Sequence, residues 1–291
     1  MTRSITNSDP QSPQAWGNLL TKLWGTQFPV KPIEIALEYT KNRFKDEPIS
    51  TVVTCDSGLV EGMLVRRPGE RHWTILYAGY PELPGRERFT VAHELGHYLL
   101  HRNQAELFKC MTDDVVDRVL KQRETEANEF ASYLLMPIDD FREQTEGQIF
   151  SLDLVGHCAG RYGTTFLASA LKWIEFTSQL ASLVVARDGF VLWSRSSQSA
   201  QKTHILFRSG QEVPSGALIS ETATELRPEP KKHPAGVWMP YSEATEYAIR
   251  SDRYDLQIAI LIFEPQGEFW PSVEEDSDPD LVDRICQNHG L

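Results

Sequence analysis

An α+β fold is predicted by three observations. Short strand-like runs crowd the region between residues 51 and 78, two strongly helical patterns follow at 88–101 and 123–137, and strand patterns return from about residue 179 to 263. Helices and strands that segregate along the chain in this way favour α+β over an alternating α/β order.

Taken in order, residues 1–12 are polar and contain prolines, and are expected to be disordered. Leu19, Leu20 and Leu23 within 16–24, and Ile33 and Leu37 within 32–44, suggest two helices, with Pro32 suited to a first helical turn. Residues 51–54, 62–65 and 73–78 are β-rich runs separated by Gly, Pro and charged residues. The run 73–78 immediately precedes the first strong helix, either as an edge strand able to pair with an extended peptide or as an ordinary sheet strand.

That helix carries His93-Glu94-Leu95-Gly96-His97, the His-Glu-x-x-His arrangement. Residues four apart share a helix face about 6 Å apart along the axis, so the two imidazoles can converge on one ion. Glu94, about 100° round from His93, is placed to act as general base on a metal-activated water. Val91, Ala92, Leu95 and Leu99 fall roughly opposite, so one side can be buried while the histidines face a cleft. His101 lies about 12 Å up the axis from His93 and is expected to be a partly exposed helix-end residue rather than a third ligand.

The third ligand is expected on the second helix, where Ala127, Phe130, Ala131, Leu134 and Leu135 form an inward stripe ended by Pro137. Glu124 lies about 50° from the centre of that stripe, against about 110° for Glu126 and about 170° for Glu129. A carboxylate facing inward needs a positive partner, which a metal supplies; Glu126 and Glu129 are expected to be solvated. Catalytic zinc takes three protein ligands, and Glu124 is either the third beside His93 and His97 or a helix-surface residue that pairs with Arg123 or Lys121. Asn128 either orients a ligand or is a polar residue at the stripe edge. Tyr133 and Tyr98 are the two candidates for an oxyanion donor.

The runs RxRFTxAHELGHxLLH and ExEANxFAxxLLMP, in this order and spacing within residues 73–137, resemble the ImmA/IrrE family of zinc metallopeptidases. The resemblance implies a zincin-like catalytic unit with His93, His97 and Glu124 as ligands and Glu94 as base. Zinc is the implied cofactor, with manganese an alternative. It also implies the substrate, a helix-turn-helix repressor whose cleavage relieves repression of stress-response or mobile-element genes. The alternative is a metal-containing regulator that binds a repressor or toxin without cutting it. Arg86 and Arg88 recur in the family motif and are read as ion-pairing residues.

The acidic stretch around Asp113, Asp114 and Asp117 flanks the cleft without evident chemistry. Residues 150–176 read as further helix, with Leu154, Phe166, Leu167, Leu171 and Ile174 as core. Residues 155–165 are similar to a helix-turn-helix segment, but few basic residues accompany them, so packing is the better reading than DNA binding. Residues 180–186 and 190–193, joined by Arg187-Asp188-Gly189, read as a hairpin, and 237–239 and 258–263 as further strands. The expected organisation is 13–176 as a metallopeptidase domain with a helical extension, 177–270 as a β-rich region with a regulatory role, and 271–291 as an acidic tail.

Composition narrows the class further. Over 291 residues the net charge is −12, which argues against a direct nucleic-acid partner and suits a basic protein one. No signal peptide or membrane-length apolar run is evident, and the four cysteines fit no metal or redox spacing, so a cytoplasmic protein with free thiols is expected.

Overall fold

The structure, a computed structural model, describes residues 9–55, 61–105, 107–110, 118–220, 229–251 and 255–265. Residues 1–8, the acidic stretch 111–117 and the tail 271–291 therefore lie outside the described residues. Helices and sheets are mixed, in the α+β manner.

Helix α1 (Pro13–Trp24) starts where the Ser12 hydroxyl accepts from the Ala15 backbone N–H, and α2 (Pro32–Arg43) starts on Pro32. Strands β1 (Ile49–Cys55), β2 (Gly62–Arg66) and β3 (Trp73–Ala78) lead into helix α3 (Pro84–His101). Strand β4 (Leu107–Cys110) and the 18-residue helix α4 (Arg118–Leu135) follow. The sheet order is β1-β3-β2-β4, with β1 parallel to β3 and the other pairs antiparallel.

This order corrects the edge-strand expectation for residues 73–78. Strand β3 is paired on both sides, so its backbone groups are already satisfied, and the edges of the sheet are β1 and β4. Local strand composition does not encode which strands pair, and β4 arises from a stretch with no strand pattern.

Leu64, Trp73 and Ile75 of the sheet pack against Ala92, Leu95 and Tyr98 of α3, while Phe130 and Leu134 of α4 join Trp16 and Leu20 of α1. Trp73 and Tyr98 are fully buried and meet edge to face at 6.0 Å. Two small residues set how closely the helices approach. A Cβ at Gly96 would lie 2.9 Å from Phe130 and 3.2 Å from the Ala127 backbone. One at Gly17 would lie 2.6 Å from the Tyr133 Cβ. Helix α4 is thereby clamped against α3 and α1 with its first turns over the histidines.

After Pro137 come α5 (Ile138–Thr145), α6 (Leu152–Tyr162) and α7 (Phe166–Phe176). Ser151 and Thr165 cap α6 and α7, and Gly163 ends α6 in the left-handed region at φ 60°. Asp140 accepts two bonds from Arg161, at 2.7 and 2.8 Å, and a third from the Tyr162 hydroxyl, tying α5 to α6. The helix pair α6–α7 packs into a core, as its composition indicated.

The second sheet contains β5 (Ala181–Arg187), β6 (Phe190–Ser196), β7 (Lys231–His233), β8 (Ala244–Ser251) and β9 (Leu256–Phe263). Its order is β6-β5-β9-β8-β7, antiparallel throughout, with the short helix α8 (Gln198–Lys202) following β6. Asp188 and Gly189, both at positive φ (51° and 79°), make the predicted tight hairpin. Strand β5 is buried on both faces. Leu183 and Val185 meet Phe150, Trp173 and Ile174 from the helical side, whereas Val184 and Ala186 meet Ile205, Phe207 and Trp238. Residues 237–239 are not a strand but part of a turn around Gly236 (φ 97°), bridged from Met239 to Ser242. There Trp238 donates to the buried Glu246.

Helix α4 also reaches this second half. Lys172 of α7 donates to Ser132 at 3.1 Å, Tyr133 donates to Glu175, and Met136 just beyond α4 enters the core shared with the second sheet. No described helix is long and apolar enough to cross a membrane.

Candidate metal centre

Helix α3 presents His93 and His97 on one face, and α4 brings Glu124 across from them. The two Nε2 atoms stand 3.0 Å apart. His93 Nε2 is 3.2 Å from Glu124 Oε2, and His97 Nε2 is 3.3 Å from Oε1. Donors about 2.0–2.2 Å from one tetrahedral ion stand about 3.3–3.5 Å apart, so the three groups have nearly the spacing a single zinc requires. Among the described residues, His93, His97 and Glu124 are also the group of three that can converge on a metal ion.

The hydrogen bonds on the far side of each ring decide which atoms face the centre. His93 Nδ1 lies 2.9 Å from Asn128 Oδ1. An amide oxygen can only accept, so Nδ1 carries the hydrogen and Nε2 keeps its lone pair. His97 Nδ1 faces His101 Nδ1 at 3.1 Å, and the His97 ring stacks on Phe108 of β4 at 5.1 Å. Two lone pairs and a carboxylate pointed at one spot call for a cation. The donor set fits a metal.

Without metal, protons answer part of that demand. Burial pulls the His93 imidazole down, but the bond it donates to Glu124, the Glu94 charge and Asn128 outweigh it and hold His93 above its ordinary value. Burial, with the neighbouring His93 and His101, holds His97 down at about 4. Burial pushes Glu124 up, but the two histidines together hold it well below the usual carboxylate range.

Glu94 is wholly buried beside His93. It reaches a cleft of about 170 Å³ that Gly62, Phe89, His93, Glu124 and Asn128 also line. Gly62 of β2 makes room for it: a Cβ there would sit 2.3 Å from Glu94 Oε1. The cleft rim carries Glu61, which pairs with Arg86, while Arg88 donates to the Gly163 carbonyl at 3.0 Å.

Residues 51–173 match the family model of the IrrE N-terminal-like domain, a peptidase family. This segment belongs to that family. In the IrrE-like segment the metal-ligand candidates sit on two consecutive helices, and the rest of the chain adds the second sheet. A solved structure titled Mycobacterium tuberculosis transcriptional regulator shares the fold at a TM-score of 0.58 and 15% identity. That likeness covers 88% of this chain and 78% of the other. No curated protein matches the sequence.

Not every candidate residue of the IrrE-like segment is brought to the cleft. Tyr98 turns into the core, where its hydroxyl donates to the Glu47 carbonyl at 2.9 Å. Tyr133 donates to Glu175. Neither hydroxyl lines the cleft, because the side of each helix that carries the tyrosine packs elsewhere.

His101 differs from its expectation. It is buried, not partly exposed, and burial lowers its pKa, so it is no dipole-bound cation. Glu126 is likewise only partly solvated, since it accepts from His101 Nε2 at 2.8 Å. Glu129 is exposed. The signal for His101 was present in its angular position, about 40° from His97 on the helical wheel.

Proposed function

We propose that the chain is a metal-dependent endopeptidase with a zincin-like catalytic unit. In this reading zinc is held by His93, His97 and Glu124, and manganese is the alternative ion. The observation that carries the reading is the convergence of three metal-donor side chains at 3.0–3.3 Å beside a buried glutamate at an open cleft. A zinc ion bound there supplies Lewis acidity, acidifying water and polarising a carbonyl. Glu94 holds the transferable proton: its carboxylate takes one from the attacking water and gives it to the departing amine nitrogen. Asn128 fixes the His93 ring, and Gly62 keeps the space into which the Glu94 carboxylate extends. Strand β4, at the sheet edge and with Phe108 against His97, offers its outer backbone groups to an extended peptide.

The proposed substrate is a helix-turn-helix repressor in the cytoplasm, cut so that stress-response or mobile-element genes are released. Residues 177–270 are proposed to regulate access. The test is incubation of zinc-loaded protein with the repressor encoded beside its gene. Discrete fragments should form, and both a chelator and Glu94→Gln should abolish them. A stable complex without fragments, formed equally by Glu94→Gln, would instead make the chain a regulator that binds without cutting.

A further inference from the structure

Behind His97 lies a chain of side chains that the proposed reaction does not use. His97 Nδ1 is 3.1 Å from His101 Nδ1, His101 Nε2 is 2.8 Å from Glu126 Oε2, and Gln122 Nε2 donates to Glu126 Oε1 at 2.8 Å. The carboxylate can only accept, so His101 Nε2 carries a hydrogen. A His97 whose Nε2 lone pair faces an ion carries its hydrogen on Nδ1 and donates it to His101 Nδ1. The direction of the bonds in the chain is thus set from its two ends.

We propose that His101 and Glu126 are positioning residues for the metal centre, forming a carboxylate–imidazole–imidazole chain that holds His97 with its Nε2 lone pair toward the ion. The inference rests on the metal reading above. Three features support it. The His101 side chain is 2% exposed, so its bonds face little competition from water. Phe108 of β4 stacks on His97 at an interplanar angle of 17° and lies 6.2 Å from the tilted His101 ring, covering both imidazoles. Glu126 comes from α4, the helix that supplies Glu124, so one helix both donates a ligand and orients another. Outer partners of this kind raise ligand basicity and lock the tautomer, and their loss weakens metal binding about 10–100-fold.

The experiment measures zinc affinity of the full chain by competition with a chromophoric chelator, alongside the melting temperature of the metal-free protein. Glu126→Ala removes the outer anchor at a position one-third exposed, where folding is least at risk. It should weaken zinc binding about 10-fold or more, and His101→Leu should weaken it further, within the 10–100-fold range. His101→Gln keeps a carbonyl oxygen able to accept from His97 and should recover most of that loss. Zinc binding by Glu126→Ala and His101→Leu as tight as the parent's overturns the proposal. So does a His101→Gln variant as weak as His101→Leu, which would show that bulk rather than the acceptor matters. If the parent itself binds no zinc, the metal reading fails and takes this one with it.

Discussion

Replacing Gly62 with alanine should disable Glu94, the proposed general base, while leaving the proposed metal ligands in place. The added Cβ would meet Glu94 Oε1 at 2.3 Å, Glu94 Cδ at 3.1 Å and Thr90 Cγ2 at 2.7 Å, where ordinary contact begins at 3.4 Å. The backbone of β2 cannot yield easily, because Gly62 is paired with Tyr77 on one side and Cys110 on the other. The Glu94 carboxylate must therefore withdraw by about 1 Å, a misplacement that can lower a rate by about 10²-fold. That is about 2.7 kcal/mol of transition-state stabilisation. Alanine loses less backbone entropy than glycine on folding, an offset of about 0.5–1 kcal/mol, so the melting temperature should change little. The assay is cleavage of the proposed repressor substrate followed on gels, with zinc affinity from chelator competition. Expected is a loss of about two orders of magnitude in kcat/KM with parent-like zinc binding. Parent-like cleavage would refute the steric argument, and a parallel loss of zinc would show that Gly62 supports the fold rather than Glu94.

Two further outcomes follow from the packing. Gly96→Ala gains about 1 kcal/mol of helix propensity but forces α4 away from α3, at about 1–3 kcal/mol. A modest fall in melting temperature together with weaker zinc binding is expected, because Glu124 moves with α4; unchanged values for both would show that the helices separate freely. Lys172 is buried, and burial lowers its pKa from 10.5 to about 8. Between those values the unfolded chain binds the extra proton, so the parent gains stability as pH rises from about 8 to 10.5, by at most about 3 kcal/mol. Lys172→Met should therefore be more stable than the parent at pH 7, with the difference shrinking at pH 10 in thermal melts; a difference independent of pH would contradict it.

The histidine pair and Glu124 were legible in the sequence because helical periodicity is local. Angles counted from His93 and from the 127–135 stripe suffice to say which side chains face the same way. Strand pairing is not local. Nothing within residues 73–78 says that they lie between β1 and β2, and nothing within Leu107–Cys110 marks an edge strand returning to β2. His101 escaped for the same reason: it is covered by Phe108 of that unforeseen strand and bonded to Glu126 of the next helix, and burial lowers its pKa although Glu126 acts to raise it. Strands β7 and β8 were missed because polar residues occupy buried positions in them, as at Glu246, whose carboxylate is satisfied by Leu218 and Ile219 N–H groups far along the chain.

Helix α4 is continuous over 18 residues, with Glu124 in its first half and Ser132 and Tyr133 bound to α7 near its end. The nine residue steps from Glu124 to Tyr133 span about 13 Å. Pivoted at α7, a tilt of about 5° swings the carboxylate through about 1 Å, the displacement at which a ligand or a catalytic group stops working well. A small tilt of α4 at its junction with α7 would therefore move Glu124 relative to the two histidines and reshape the cleft it lines.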